Sequence, residues 1–118
     1  MYSVILTTRY GDSLRDPTAE QIAAASQELL AIADPEHANA WMELFSASGR
    51  MYNVDAYESG LVIYSEYADH DYEELMSELR FRASDAGLVT RLWTIMAAHD
   101  LDALLAEVGR LRGIRDSY

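Results

Sequence analysis

A chain of 118 residues, half of them hydrophobic, has the size of one compact domain spanning residues 1–118 and is too apolar to stay disordered. It has no cysteine, which excludes disulfides and thiolate metal sites. Twenty acidic residues against nine basic ones give a net charge of −11, which disfavours nucleic acid and anionic membranes as partners and favours a cationic protein. All nine basic residues are arginine, so a GC-rich coding sequence or a halophilic background is an alternative source of this composition.

The opening MYSVILTTRY has neither the basic segment nor the long apolar core of a signal peptide. No apolar run approaches the roughly 20 residues of a membrane span, and the expected location is the cytoplasm. Tyr2 to Thr8 is rich in β-branched residues and predicts a first strand. Gly11 to Asp16 is expected to be a loop, and Asp16-Pro17 to open a helix. Ile22, Ala25, Leu29, Ile32 and Ala33 give that helix one apolar stripe, which Asp34-Pro35 ends.

Three strands follow, at Ala40–Phe45, Met51–Tyr57 and Leu61–Tyr67, joined by turns at Ser48-Gly49 and Ser59-Gly60. Such short turns predict an antiparallel meander. Alternation assigns Met42, Leu44, Tyr52, Val54, Leu61 and Ile63 to the core face, and Trp41, Glu43, Asp55, Tyr57, Tyr64 and Glu66 to the other. Leu75 to Arg82 fits a further edge strand or a helix, with the extended form preferred. Ser84 or Asp85 can cap a helix running to about Ala98, striped by Leu88, Leu92, Ile95 and Met96. Asp100 can cap a last helix through Leu101, Leu104, Leu105, Val108 and Leu111, with Gly113 as its stop. The order β-α-β-β-β-(β)-α-α predicts an α+β domain: an antiparallel sheet of four to five strands with helices on one face.

The stretch YSEYADHDYEE, Tyr64 to Glu74, holds five carboxylates, three tyrosines, one histidine and no basic group. It starts like a calcium loop, with Asp69, Asp71 and Glu73 alternating. Glu74 stands where the sharp-turn glycine belongs, and Arg80 where the bidentate glutamate belongs. His37, His70 and His99 lie in separate segments without metal-ligand spacing, so no metal and no cofactor is expected. No nucleophile elbow and no phosphate-binding glycine loop is present, and no catalytic residue is assigned. Trp93 is most simply core. Trp41 is either a contact residue or is covered by a further helix.

Tyrosine and tryptophan offer rigid contact area at low entropic cost, and carboxylates around them would meet Arg and Lys on a basic partner. The candidate contact set is Trp41, Glu43, Asp55, Tyr57, Tyr64, Glu66, Tyr67, Asp69, Asp71, Glu73 and Glu74; alternation points Tyr67 inward. The bland alternative is a solvated loop that keeps the protein soluble.

The segments ILTTRYGDSLRDPTAEQI, DPEHANAWMEL, YESGLVIYSEYADHDYEEL and LWTIMAAHDLDALL give the chain a resemblance to the small acidic immunity proteins of bacterial polymorphic-toxin and contact-dependent inhibition systems. The resemblance implies a cytoplasmic, non-enzymatic α+β protein that binds a cognate toxin and covers its active site. The acidity would suit a basic toxin such as a nuclease. The rival expectations are another acidic inhibitor, such as a phage-encoded nucleic-acid mimic, and a small carboxylate- or metal-dependent enzyme. The oligomeric state is left open by the sequence.

Overall fold

The computed structural model describes residues 3–83 and 86–116. Six antiparallel strands form one sheet, in the order β2-β1-β3-β4-β5-β6. They are β1 (Ser3–Thr7), β2 (Ser13–Arg15), β3 (Asn39–Phe45), β4 (Met51–Tyr57), β5 (Leu61–Tyr67) and β6 (Leu75–Arg82). Helix α1 (Ala19–Ala31) and a short 3-10 turn (Pro35–His37) lie between β2 and β3, and α2 (Ala86–Ala97) and α3 (Leu101–Asp116) follow β6. The α+β class and the β3–β4–β5 meander agree with the sequence.

The strand count does not, because the expected loop after β1 contains β2, which pairs Ser13, Leu14 and Arg15 with Thr7, Leu6 and Ile5. Three residues with one apolar side chain carry no readable alternation. Leu75–Arg82 is extended, as preferred, and pairs along β5 with a bulge at Glu66/Tyr67.

Helix boundaries also move. Thr18, rather than Asp16, caps α1: its hydroxyl accepts from the Gln21 amide at 3.2 Å, and the Gln21 side chain accepts from the Thr18 amide at 2.9 Å, a capping box. The helix ends at Ala31, so Ile32 and Ala33 lie beyond its stripe and are exposed. Asp100 caps α3 through the Ala103 amide at 3.0 Å, but the helix runs past Gly113 to Asp116. The expected cap at Ser84 or Asp85 lies outside the described residues.

One sheet face carries all three helices. Val4, Leu6, Ala40, Met42, Leu44, Val54, Ala56, Val62, Tyr64 and Leu79 form a single buried cluster with Ile22 and Leu29 of α1, Leu92, Trp93 and Met96 of α2, and Leu104 and Val108 of α3. Trp93 is buried there, and its indole N–H donates to the Val54 carbonyl at 3.1 Å.

The β5 faces are the reverse of the expectation. Val62 and Tyr64 enter the core, while Leu61 and Ile63 stand on the open face. The turn after β4 places Val54 opposite Tyr64 and Asp55 opposite Ile63. Even-numbered residues therefore share a face across the hairpin, and a one-residue difference in register exchanges the two faces.

Candidate functional site

The helix-free face of the sheet brings together side chains from non-adjacent segments. Antiparallel register sets Trp41 opposite Asp55, Glu43 opposite Asn53, and Asn39 opposite Tyr57. One face therefore collects Asn39, Trp41 and Glu43 from β3 and Asn53, Asp55 and Tyr57 from β4.

The acidic segment 68–74 folds back over one end of this face. The Asp69 carboxylate accepts from the amides of Asp71, Glu73 and Glu74 at 2.8, 3.1 and 3.0 Å. Those donors hold its carboxyl below the ordinary carboxylate value. Thus secured, the segment lays the Tyr72 ring against Tyr67, with centroids 4.9 Å apart, and His70 against Phe45 at 5.2 Å. Met51 sits between Phe45 and Tyr67 in register and is fully buried, yet it stands outside the main core. The folded-back segment makes a small second core on this face.

Where this roof ends, a groove of about 420 Å³ opens between Asn39, Trp41, Glu43, Asn53, Asp55 and Tyr72. The Glu43 carboxylate accepts from the Trp41 indole N–H at 3.3 Å and from the Tyr72 hydroxyl. Asp55 accepts from the Asn39 amide at 2.9 Å and from the Tyr57 hydroxyl. Burial pushes the Asp55 carboxyl above its ordinary value, and these two hydrogen bonds offset part of that shift. The Asp55 charge in turn raises the Tyr57 phenol, with burial adding to it. Burial likewise drives the Tyr72 phenol well above its usual range, reinforced by the bond to Glu43.

None of the ion pairs among the described residues involves Glu43 or Asp55. Both carboxylates are oriented by neutral donors and keep their charge uncompensated at contact distance. In register, the open-face arginines Arg15, Arg80 and Arg82 stand at least two strands away, roughly 10 Å or more at the usual strand spacing. Arg80 is also engaged with Glu78 at 2.9 Å.

Of the residues expected to make contacts, Trp41, Glu43 and Asp55 line the groove, and Tyr57 and Tyr67 share its face. Tyr67 faces outward where alternation had pointed it in. Tyr64 is 1 % exposed beneath the helices, and burial drives its phenol far above the usual range. Glu66 is on the helix side too, accepting from the Tyr64 hydroxyl at 3.3 Å and paired with Arg50 at 2.9 Å. Both lose their place on the open face for the register reason given above. Asp69 is committed to its own segment, which leaves Asp71, Glu73 and Glu74 as the exposed carboxylates.

Sequence reasoning missed Asn39, Asn53 and Tyr72. Asn53 alternates with Asp55 and could have been found by parity. Asn39 lay one residue outside the expected strand. The fold-back that brings Tyr72 over Glu43 has no local signal. A cleft of comparable size, about 440 Å³, runs between the α1 end, the β4–β5 turn and the α2 start. Its carboxylate Glu58 is already bonded to Arg9 at 2.7 Å and to the Asp34 amide at 2.8 Å, so the groove is the stronger candidate.

The histidines have separate surroundings: His37 beside Asp34 and Tyr10, His70 on Phe45, His99 near Asp16. Among the described residues, no group of three or more His, Asp or Glu is placed to hold a metal ion. No described helix is long and apolar enough to cross a membrane. No protein-family model matches the chain, and no curated protein or solved structure matches it significantly.

Proposed function

We propose that the protein is an immunity-type inhibitor that binds a basic toxin domain through its open sheet face and thereby blocks the toxin. The observation carrying this reading is the pair Glu43 and Asp55. They are held in a concave, partly aromatic site and have no ion-pair partner among the described residues. A carboxylate kept partly desolvated costs stability, and a cationic partner recovers that cost by pairing with it. Trp41, Tyr57 and Tyr72 supply rigid contact area, and the exposed Asp71, Glu73 and Glu74 extend the negative surface beside them.

On this reading the protein works in the cytoplasm, without chemistry of its own. A toxin such as a nuclease binds its polyanionic substrate in a basic cleft, and an acidic face seated there excludes the substrate. The test is co-expression with the product of the neighbouring upstream gene. Growth is expected to be rescued by the parent chain and lost with Trp41→Ala, since a central aromatic anchor carries about 2 kcal/mol or more. An upstream product that is harmless alone, or that kills equally with the parent chain present, removes this reading.

A carboxylate-dependent enzyme is the second reading, favoured by the Asp55 carboxyl, which burial raises above its ordinary value within the groove, as a general acid requires. It predicts turnover of a small substrate that Asp55→Asn abolishes.

A further inference from the structure

Resting on the reading that the open face receives a basic protein, we propose that the groove is a receptor for one arginine side chain of that partner, its guanidinium held between Glu43 and Asp55 and stacked on Trp41.

The acceptors come first. Glu43 and Asp55 reach the groove from neighbouring strands as diagonal neighbours, two residues apart in register. Each is held by two neutral donors: the Trp41 indole and Tyr72 hydroxyl for Glu43, the Asn39 amide and Tyr57 hydroxyl for Asp55. A carboxylate offers about four lone-pair sites, so each keeps acceptor capacity for an incoming N–H. No described ion pair competes for them.

The walls decide which cation fits. Trp41 and Tyr72 line the same groove, and a planar cation stacks on an aromatic face while forking to carboxylates in its own plane. Arginine does both. Lysine, a compact and strongly hydrated point charge, does neither as well and gives up more hydration on entry. The groove, at about 420 Å³, has room for the aliphatic stem and the guanidinium of one side chain, but not for a folded segment. Charge also favours entry at this spot: the carboxylates sit centrally, and the open-face arginines Arg15, Arg80 and Arg82 lie on the two edge strands of the sheet.

The chain contains its own reporters. Its two tryptophans occupy opposite faces: Trp41 bonds Glu43 in the groove, and Trp93 bonds the Val54 carbonyl in the core. Titrating the protein with N-acetyl-arginine methylamide should shift the Trp41 indole N–H resonance in a saturable way, while Trp93 moves much less. An isolated side chain of this size should bind at about millimolar concentration. N-acetyl-lysine methylamide should bind several-fold more weakly. Asp55→Asn should weaken the arginine response by about tenfold, since it removes a charge-assisted pair, and an unchanged Trp93 resonance reports that the variant is folded.

A Trp41 resonance that stays still to the solubility limit, equal responses to the two ligands, or an Asp55→Asn protein that titrates like the parent would each overturn the arginine site. The two readings fail separately. Rescue from the toxin without a Trp41 response removes the arginine site alone. A saturable, arginine-selective Trp41 response with failed rescue retains the site and removes the toxin as its source.

Discussion

Arg9 has no exposed side-chain surface, and its guanidinium closes the end of α1. It donates to the carbonyls of Glu28, Leu29, Ile32, Asp34 and His37 at 2.6–3.2 Å and to the Glu58 carboxylate at 2.7 Å. These include the carbonyls a helix end leaves without partners, so Arg9→Ala strands several acceptors and one carboxylate at once. Loss of one partner from a buried pair costs about 3–5 kcal/mol, and urea denaturation should show a loss of that size. Arg9→Lys should recover only part of it, because an ammonium cannot present the planar fork. Asp55 has the opposite sign. Its carboxyl is raised in the folded protein by burial, so its favourable contribution is fully present below the unfolded value near 3.8 and is lost as pH rises through the folded value. At neutral pH its charge therefore opposes folding. Asp55→Asn keeps an acceptor for Asn39 and should raise the melting temperature at pH 7, with the gain fading as pH falls toward 4. A gain that persists undiminished in acid would show that the charge is not its source. The same substitution should weaken arginine binding, which separates the residue's role in recognition from its effect on the fold.

At the scale of elements, the β4–β5 turn fixes which β5 side chains stand on the same face as the groove. Gly49 and Gly60 both adopt φ of +92°, a conformation that side chains rarely take. Their surroundings differ. A Cβ on Gly49 would meet nothing within 4 Å, whereas one on Gly60 would lie 2.8 Å from the Ala83 carbonyl oxygen. That backbone is held by the Ala83 amide bonding to the Gly60 carbonyl at 2.8 Å. Gly49→Ala should cost about 1 kcal/mol of backbone strain, and Gly60→Ala roughly twice that or more. Equal losses in urea denaturation would mean that the Ala83 strand end yields freely. The three meander strands were legible because β-branched and aromatic runs end at glycine turns, and the Asp100 cap was legible because it acts locally. The faces of β5 were not legible, since Leu61, Val62, Ile63 and Tyr64 are all apolar or aromatic and either parity could be buried. The four contact residues drawn from β3 and β4 came out together for the converse reason: there Trp41, Glu43, Asp55 and Tyr57 alternate with Met42, Leu44, Val54 and Ala56. The fold-back of 68–74 and the Arg9 clamp join residues far apart in the chain, and no local pattern encodes either.

For the whole molecule, the net charge of −11 and the groove should act on different steps of association. Exposed charges set the field that draws a cationic partner in, whereas a side chain buried in the complex sets how long the partner stays. Asp71, Glu73 and Glu74 are exposed and appear in no ion pair among the described residues. Asp69 is tied to its own backbone and Glu66 to Arg50, so reversing those two would damage structure as well as charge. Replacing Asp71, Glu73 and Glu74 with lysine should therefore slow association with a basic partner by about tenfold or more at low salt, with little change in dissociation. The difference should shrink toward nothing near 1 M salt, where charges beyond about 3 Å are screened. Trp41→Ala should show the complementary pattern of faster dissociation, nearly unchanged association and little salt dependence. Stopped-flow kinetics across a salt series reads both. Should the triple reversal instead speed dissociation at every salt concentration, the 68–74 segment would be part of the buried contact, and the roof over Met51, rather than the open groove, would be where the partner is held.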